Sequence, residues 1–598
     1  MKRAFFFLVL SLYGEEVLFY KMDPLIITAS RIPTSFIYTT RNVSIITNKE
    51  IENVPLATLA DLLKYDEGID VRERGPEGVQ ADVSIGGTFE QTLVLVDGVA
   101  INDPQTSHHN LNIPIELEDI ERIEILKGPG TTLYGDGAFS GVINIITKKE
   151  RKEKAELGGF IGDYKLFEGN LSISKEIGFS SNRFSFSEKK SDGYRYNTDF
   201  KNWNFLINSF LEKENVEGDF LFGYKRKDFG ANCFYSDKYP DQREAINALF
   251  FKGDFTLNKS HKITFHSKRH EDDYILDRKN PEWYRNHHIT NNYGIGTQSI
   301  ISSKFGSSGI GSKWDEVRIK STNLGDHSYG KIAFFFGHSF PEIKRTTLNF
   351  SSSFSYYSNW GWFFYPGVDI GIKITDKTLL YASLQKSSRL PSYTELYYHS
   401  PANLGNPELK PEEAFTYEGG IKTIKGNFFI NLSGFYRRGE NIIDWVRANS
   451  TEPWRAINSG KVISSGVEIN LEFNPFVKTY KKIPIPNVEL GYSLFRVTHR
   501  DSSSLQSKYL MSTPSHKFII KVDYEIIRNL HQTWRGIFQK NSSSENVFIL
   551  DFDICYKIRK IEFFISITNL LNTDYFEGGW IPMPGRWARG GIKFVLPY

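Results

Sequence analysis

Val467-Glu468-Ile469-Asn470-Leu471-Glu472-Phe473-Asn474 alternates apolar and polar residues without an error. The same period of two runs through Phe518, Ile520, Val522, Tyr524 and Ile526, with Ile519, Lys521, Asp523 and Glu525 between them. Phe552 to Ile558 and Ile561 to Ile567, separated by Arg559-Lys560, read as two strands joined by a tight turn. A period of two gives each strand one apolar and one polar face. In a soluble sandwich the apolar face turns to a core. In an outer-membrane barrel it turns to lipid and the lumen is polar.

Strand counting and connection lengths separate these two architectures. After residue 150 no block of helical period is long enough to cover a sheet. Tight turns, such as Ile424-Lys425-Gly426-Asn427 and Asn258-Lys259-Ser260, alternate with longer polar links, such as Asp272 to Asn292. At about 20 residues per strand and connection, this region holds about 22 antiparallel strands, the number known for plugged outer-membrane transporters. The chain ends on Ile592, Phe594, Leu596 and Tyr598, an alternating apolar face. A barrel needs such a last strand to pair with its first, because lipid cannot satisfy an open edge.

Composition agrees. Of the 598 residues 15% are aromatic, with 47 Phe and 31 Tyr against 4 Met and 2 Cys, as aromatic girdles at two membrane interfaces would require. Past the N-terminus no apolar run approaches the about 20 residues of a helical span, which excludes a helical membrane protein. The net charge of +3 and the lack of a basic run with interleaved aromatics exclude nucleic-acid binding. Met1-Lys2-Arg3, the apolar stretch Ala4 to Tyr13 and then Gly14 have the form of a secretory signal peptide over residues 1–14. Cys233 lies in a turn-rich stretch and Cys555 in a strand pattern, and two unpaired thiols are expected.

From Ile37 to Thr147 the chain changes character. Thr58-Leu59-Ala60-Asp61-Leu62-Leu63-Lys64 has helical spacing, whereas Thr92 to Gly98 and Gly141 to Thr147 are β-rich runs bounded by Gly and Asp. This is a small α+β domain preceding the strand-rich region.

Several segments resemble the TonB-dependent receptors and together span nearly the whole chain. Asp23-Pro24-Leu25-Ile26-Ile27-Thr28-Ala29 resembles the TonB box, a short β-prone segment suited to strand addition on a partner's sheet edge. Val83 to Gly87, Leu93 to Gly98, Ile120 to Gly130, Leu133-Tyr134-Gly135 and Gly141 to Thr147 are similar, in order, to the family's plug. Ser388-Arg389-Leu390-Pro391 with Glu395-Leu396, Gly405 to Glu412, and Asn569 to Tyr598 are similar to its barrel signatures. The resemblance implies an all-β transmembrane barrel with an N-terminal α+β plug domain in its lumen. The division is signal peptide 1–14, N-terminal segment with TonB box 15–36, plug 37–149 and barrel 150–598. One position departs: the family usually has Arg between Ile85 and Gly87, and here Gly86 stands there. Part of the usual plug–barrel charge contact is therefore in question.

The resemblance further implies active transport across the outer membrane of a Gram-negative bacterium. Its partners would be TonB with ExbB and ExbD on the periplasmic side, and membrane lipid. A capping surface lipoprotein is left open, and no resident cofactor is expected. The vitamin B12 receptor subgroup carries segments similar to Asn102 to Asn110, Phe229 to Tyr235, Asp277 to Pro281 and Thr322 to His327, so cobalamin or another corrinoid is the expected cargo. By position, Arg74, Gln80, Gln105, His108, His109 and Asn110 are the expected substrate contacts, since they offer guanidinium, amide and imidazole groups to a ligand rimmed with amides. No metal site is assigned: adjacent histidines on a strand point to opposite faces, and a ligating pair needs further donors.

Two other cargoes fit some residues. His399 lies between signatures where haem receptors of this family place a His, and Tyr393, Tyr397, Tyr398, Trp283 and Tyr284 could wall a ferric siderophore. An enzyme is not supported, for the sequence has no Gly-rich phosphate loop, nucleophile elbow or zinc-protease helix. A passive porin would need neither plug nor TonB box.

Overall fold

The computed structural model describes residues 25–26, 28–29, 32 and 34–597, apart from 56, 87–89, 150, 237, 475–485, 500–504, 509–513, 542–545 and 579. The signal peptide, Asp23, Pro24, Ile27 and Tyr598 lie outside the described residues.

Twenty-two antiparallel strands form a closed barrel. It closes where Lys154–Gly162 pairs with Trp587–Pro597, in register from Lys154↔Pro597 to Gly162↔Arg589. Closure leaves no unpaired edge to face lipid. The connections fall into two sets. On the side of the barrel holding residue 178 they are mostly as short as 214–215, 376–377 and 426–427; on the opposite side they reach 390–411 and 441–461.

The alternation read from the sequence places side chains as lipid demands. In Val462–Phe473, Val467 and Ile469 are 42% and 38% exposed, whereas Glu468 and Asn470 point inward and are buried. In Gly361–Thr375, Trp362, Phe364, Val368 and Ile370 face out while Tyr365 and Asp369 face in. The hairpin at Arg559-Lys560 forms with Ile558 opposite Ile561. One expected link is mostly strand: His261–Ile275 and Arg285–Ser303 extend through much of Asp272 to Asn292, leaving only 276–284 as connection. The stretch looked loop-like because its inward positions, Asp272, His288 and Asn292, are polar and buried against the plug.

The plug is built on a five-stranded sheet in the order Val43–Thr47, Ile120–Leu126, Gly141–Thr147, Thr92–Val96, Val99–Ala100. Thr92–Val96 and Gly141–Thr147 run parallel, which explains why both read as continuous apolar runs. The helix Leu59–Lys64 starts where the sequence places it, at Thr58, whose hydroxyl accepts from the Asp61 amide while Asp61 accepts from the Thr58 amide. Ile69, Val94, Ile123 and Ile143 form the plug core, which continues onto Leu206, Leu221 and Phe250 of the barrel wall. Cys233 and Cys555 are both free.

A charge on the lipid face, unlike one on the lumen face, has no partner. Val368→Arg, at the middle of its strand, is expected to destabilise the barrel by about 2–4 kcal/mol in urea titrations in lipid vesicles.

Candidate functional site

The hairpin of Ile69–Gly75 with Gln80–Ile85 and the short turn Ser107–His109 meet the long-connection ends of two barrel strands, Arg243–Leu257 and His261–Ile275. Five of the six expected substrate contacts join one polar network here. Arg74 Nε pairs with Asp82 at 3.2 Å, and His108 Nδ1 lies 2.8 Å from the other Asp82 oxygen. Arg74 also donates to the Phe234 carbonyl and lies over the Tyr235 ring at 5.4 Å. Gln80 Nε2 donates to Tyr235 Oη at 2.9 Å, and that hydroxyl donates to Glu244 Oε2 at 2.6 Å. Gln105 Nε2 donates to Asp272 at 3.3 Å, and His109 Nε2 lies 3.4 Å from the same carboxylate.

Asn110 stands apart: its Oδ1 accepts from the Asp103 amide at 3.0 Å and braces the loop itself. Gln80, Gln105, His109 and Asn110 are buried, and Arg74 and His108 half-buried. The connection through Phe234 and Tyr235 covers them, and Trp580 Nε1 donates to the Cys233 carbonyl in that cover at 2.8 Å.

The adjacent histidines diverge, as expected, although they sit on a tight helical turn rather than a strand. Burial, reinforced by the Arg74 charge and opposed by Asp82, lowers the His108 imidazole to about 4, so it is neutral at pH 7. At His109 burial again disfavours the charged form, but the hydrogen bond and charge of Asp272, with Glu244 and Asp103, outweigh it and raise the group.

Of the residues considered for other cargoes, Tyr393, Tyr397 and Tyr398 pack in one cluster, with the Tyr393 and Tyr397 rings stacked 6.3 Å apart. His399 is exposed, and its carbonyl accepts from Asn323. Tyr393 is buried with its hydroxyl on the Val317 carbonyl, and Tyr397 is stacked on His327 at 3.6 Å. Trp283 is exposed.

Asp82, Tyr235, Glu244 and Asp272 were not read from the sequence. Glu244 and Asp272 are inward positions of alternating strands, and only the depth of the plug's apex singles them out from the other lumen carboxylates.

At the other end of the plug, the TonB-box resemblance is described in part. Leu25–Ile26 pairs antiparallel with Thr34–Ser35. Thr28 is buried; its amide and hydroxyl donate to Glu124 Oε2 at 3.0 and 2.6 Å, and Asn144 Nδ2 donates to its hydroxyl at 3.0 Å. Arg122 pairs with the other Glu124 oxygen at 2.8 Å.

Between these ends the plug is fixed to the wall mainly by buried ion pairs: Arg41 with Glu418 and Asp369, Arg183 with Asp119, Lys252 with Asp97, and Arg589 with Glu77. Arg389, from the mid-barrel signature, bonds both Glu395 and Glu412 at 2.9 Å and reaches plug Glu90 at 3.4 Å. The space beside Gly86, where the family has its plug arginine, is bordered by a wall arginine. A Cβ on Gly86 would lie 3.4 Å from the Arg437 guanidinium and 3.3 Å from Phe435, and Arg437 donates to the plug's Ser140 carbonyl. Among the described residues Arg437 forms no ion pair with a plug carboxylate, so its hold on the plug is this hydrogen bond and not a charge contact.

Two substitutions test this interface. Gly86→Arg meets both a positive φ of 65° and the Arg437 charge. It is expected to unseat the plug by about 1–3 kcal/mol, read as faster proteolysis of the plug, with partial recovery on adding Arg437→Ala. Arg389→Ala strands buried carboxylates and should cost about 3–5 kcal/mol in denaturant titration.

Comparison with known proteins places this architecture. Residues 37–142 match the TonB-dependent Receptor Plug Domain, and residues 154–570 match the TonB dependent receptor-like beta-barrel. Vitamin B12 transporters BtuB of Vibrio vulnificus and of Photobacterium profundum are 24% and 22% identical over 507 and 481 residues. The Vibrio alignment covers 77% of each chain, the Photobacterium one 75% of this chain and 76% of its relative. The siderophore receptor PirA of Acinetobacter baumannii has the same fold, with a TM-score of 0.77 at 16% identity over 94% of this chain and 99% of its own. So does the FrpB iron transporter of Neisseria meningitidis, with a TM-score of 0.77 at 13% identity over 93% and 99%. This chain belongs to the TonB-dependent receptors, plugged transport barrels of the Gram-negative outer membrane.

Proposed function

We propose that this receptor imports a corrinoid, cobalamin or a close relative, and that Asp23–Ala29 is the segment engaged by TonB, energised through ExbB and ExbD. The observation that carries the cargo reading is the network at the plug apex. Arg74, Gln80, Gln105 and His108 gather guanidinium, amide and neutral imidazole groups under one cover. Such groups match a ligand whose rim is amides and which carries little net charge. The vitamin B12 transporters among the sequence relatives support the same reading. An iron chelate is the second reading. It is favoured by the solved siderophore receptors of the same fold, but at 13–16% identity these speak for fold alone.

On this reading, ligand seated at the apex favours a state in which the Thr28 clamp is open and the preceding segment is free below the plug. A ligand shifts such an equilibrium only through its different affinity for the two states. TonB then adds a strand to Asp23–Ala29, and the pull comes from outside this chain.

Tryptophan quenching of the purified protein with cyanocobalamin, haem and a ferric-siderophore panel tests the cargo, with Trp580 as a local reporter. Saturable cobalamin binding is expected, weakened about 2–10-fold per contact by Gln80→Ala or Gln105→Ala. Haem or siderophore binding without cobalamin binding would overturn the corrinoid reading. Deleting Asp23–Ala29 is expected to abolish uptake while saturable ligand binding persists.

A further inference from the structure

We propose that a divalent transition-metal ion of the zinc, cobalt or nickel class binds between plug and wall at His109, Glu244 and Asp272. One donor atom from each of these three buried residues lies within 4.8 Å of the others. Ligands at zinc bond lengths of about 2.1 Å stand about 3.4 Å apart, so a modest contraction completes the site. An imidazole with two carboxylates suits a borderline ion, whereas calcium and magnesium prefer oxygen alone.

Unpartnered buried atoms point into the same space. Glu244 Oε1 and Asp272 Oδ1 accept no hydrogen bond among the described residues, and neither ring nitrogen of His270 has one. His270 is fully buried beside the cluster, with its ring 4.6 Å from that of His109 and its Nδ1 3.2 Å from Asp103. Leaving several polar atoms of one cluster buried and unmatched is costly, and such an arrangement calls for an occupant.

Charge points the same way. Asp103, beside the cluster, has Lys268 at 3.4 Å. Among the described residues, the ion pairs of Glu244 and Asp272 run to His109, at 4.0 and 3.4 Å. Two buried carboxylates sharing one imidazole lack a full counter-charge, which a divalent ion supplies.

The outer shell is in place as well. The Tyr235 hydroxyl donates to Glu244 at 2.6 Å and the Gln105 amide to Asp272 at 3.3 Å. Such groups orient ligands before a metal arrives. Because His109 belongs to the plug and the two carboxylates to the wall, a bound ion staples the plug apex to the barrel. The site does not depend on which ligand is transported.

The test uses the full-length receptor, stripped with chelator and titrated with Co²⁺. One equivalent per chain is expected, with visible d–d bands of a low-coordinate nitrogen and oxygen site, displaced by Zn²⁺. Glu244→Gln and Asp272→Asn should each weaken binding at least about tenfold, and Tyr235→Phe about 10-fold through the outer shell. Strand content by circular dichroism shows that the variants are folded. X-ray absorption of the Zn²⁺-loaded wild type needs no variant and should show imidazole in the shell. No stoichiometric binding, an all-oxygen shell, or binding retained in both carboxylate variants would leave only a hydrogen-bonded charge cluster and overturn the proposal.

Discussion

Lipid offers no partner to a backbone N–H or C=O, and most of this molecule follows from that. A sheet long enough to cross the bilayer must close, and here closure is made by pairing the first and last barrel strands, residues 154–162 and 587–597. Once closed, each strand owes one face to hydrocarbon and the other to the lumen. That is why Trp362, Phe364, Val368 and Ile370 crowd the outside of a strand whose inward side chains include Tyr365 and Asp369. A barrel of 22 strands is too wide for its own side chains to fill. The plug is the answer to the volume that closure creates.

Filling a polar lumen imposes a different kind of packing from filling a soluble core. The wall offers Lys252, Lys422, Arg437, Glu418 and Glu468, all buried once the plug is in place. Each must find a partner or be neutralised, because an isolated buried charge costs more than a lost contact. The solutions are specific: Lys422 donates to the Thr39 and Arg41 carbonyls, while Asn42 donates to both Ser433 and Glu468. Apolar continuity between plug and wall runs through several separate places: the plug core against Leu206, Leu221 and Phe250, Val79 against Phe229 and Trp587, Phe139 against Ala414 and Val462, and Tyr65 against Ile519 and Ile537. Matched charges and these apolar contacts together orient the plug.

The sequence was most legible where a single physical demand acts on consecutive residues. Alternation at Val467–Asn474 follows from lipid on one side and polar lumen on the other, and the Thr58 cap follows from unsatisfied amides at a helix start. It was less legible where demands overlap. Between Asp272 and Asn292 the lumen face carries polar groups for the plug, and the strand reads as a loop. The candidate site was legible only on its plug half, where Arg74, Gln80, Gln105 and His108 stand in recognisable segments. Its wall half, Glu244 and Asp272, shares its pattern with every other inward carboxylate. Gly86 shows the same limit: one missing arginine was visible, but nothing local to Arg437 says that it lies beside the gap.

A polar interface also explains how so deeply buried a domain can belong to a transporter. Separating an apolar interface exposes surface at about 25 cal/mol for each Å², with nothing regained. Separating paired charges and hydrogen bonds returns most of their energy, because water takes the vacated places. A plug held by ion pairs is therefore rigid while dry and yields once water enters along the wall. Strength against leakage and compliance under a pull then have one source, desolvation, and the outcome depends on where water is first admitted. The Thr28 clamp on Glu124 sits at the end of the plug from which, on the proposed mechanism, the pull arrives, and its carboxylate is also held by Arg122. Removing Thr28 from Glu124 would leave that carboxylate with one partner fewer and draw water toward Asn144 and the sheet behind it.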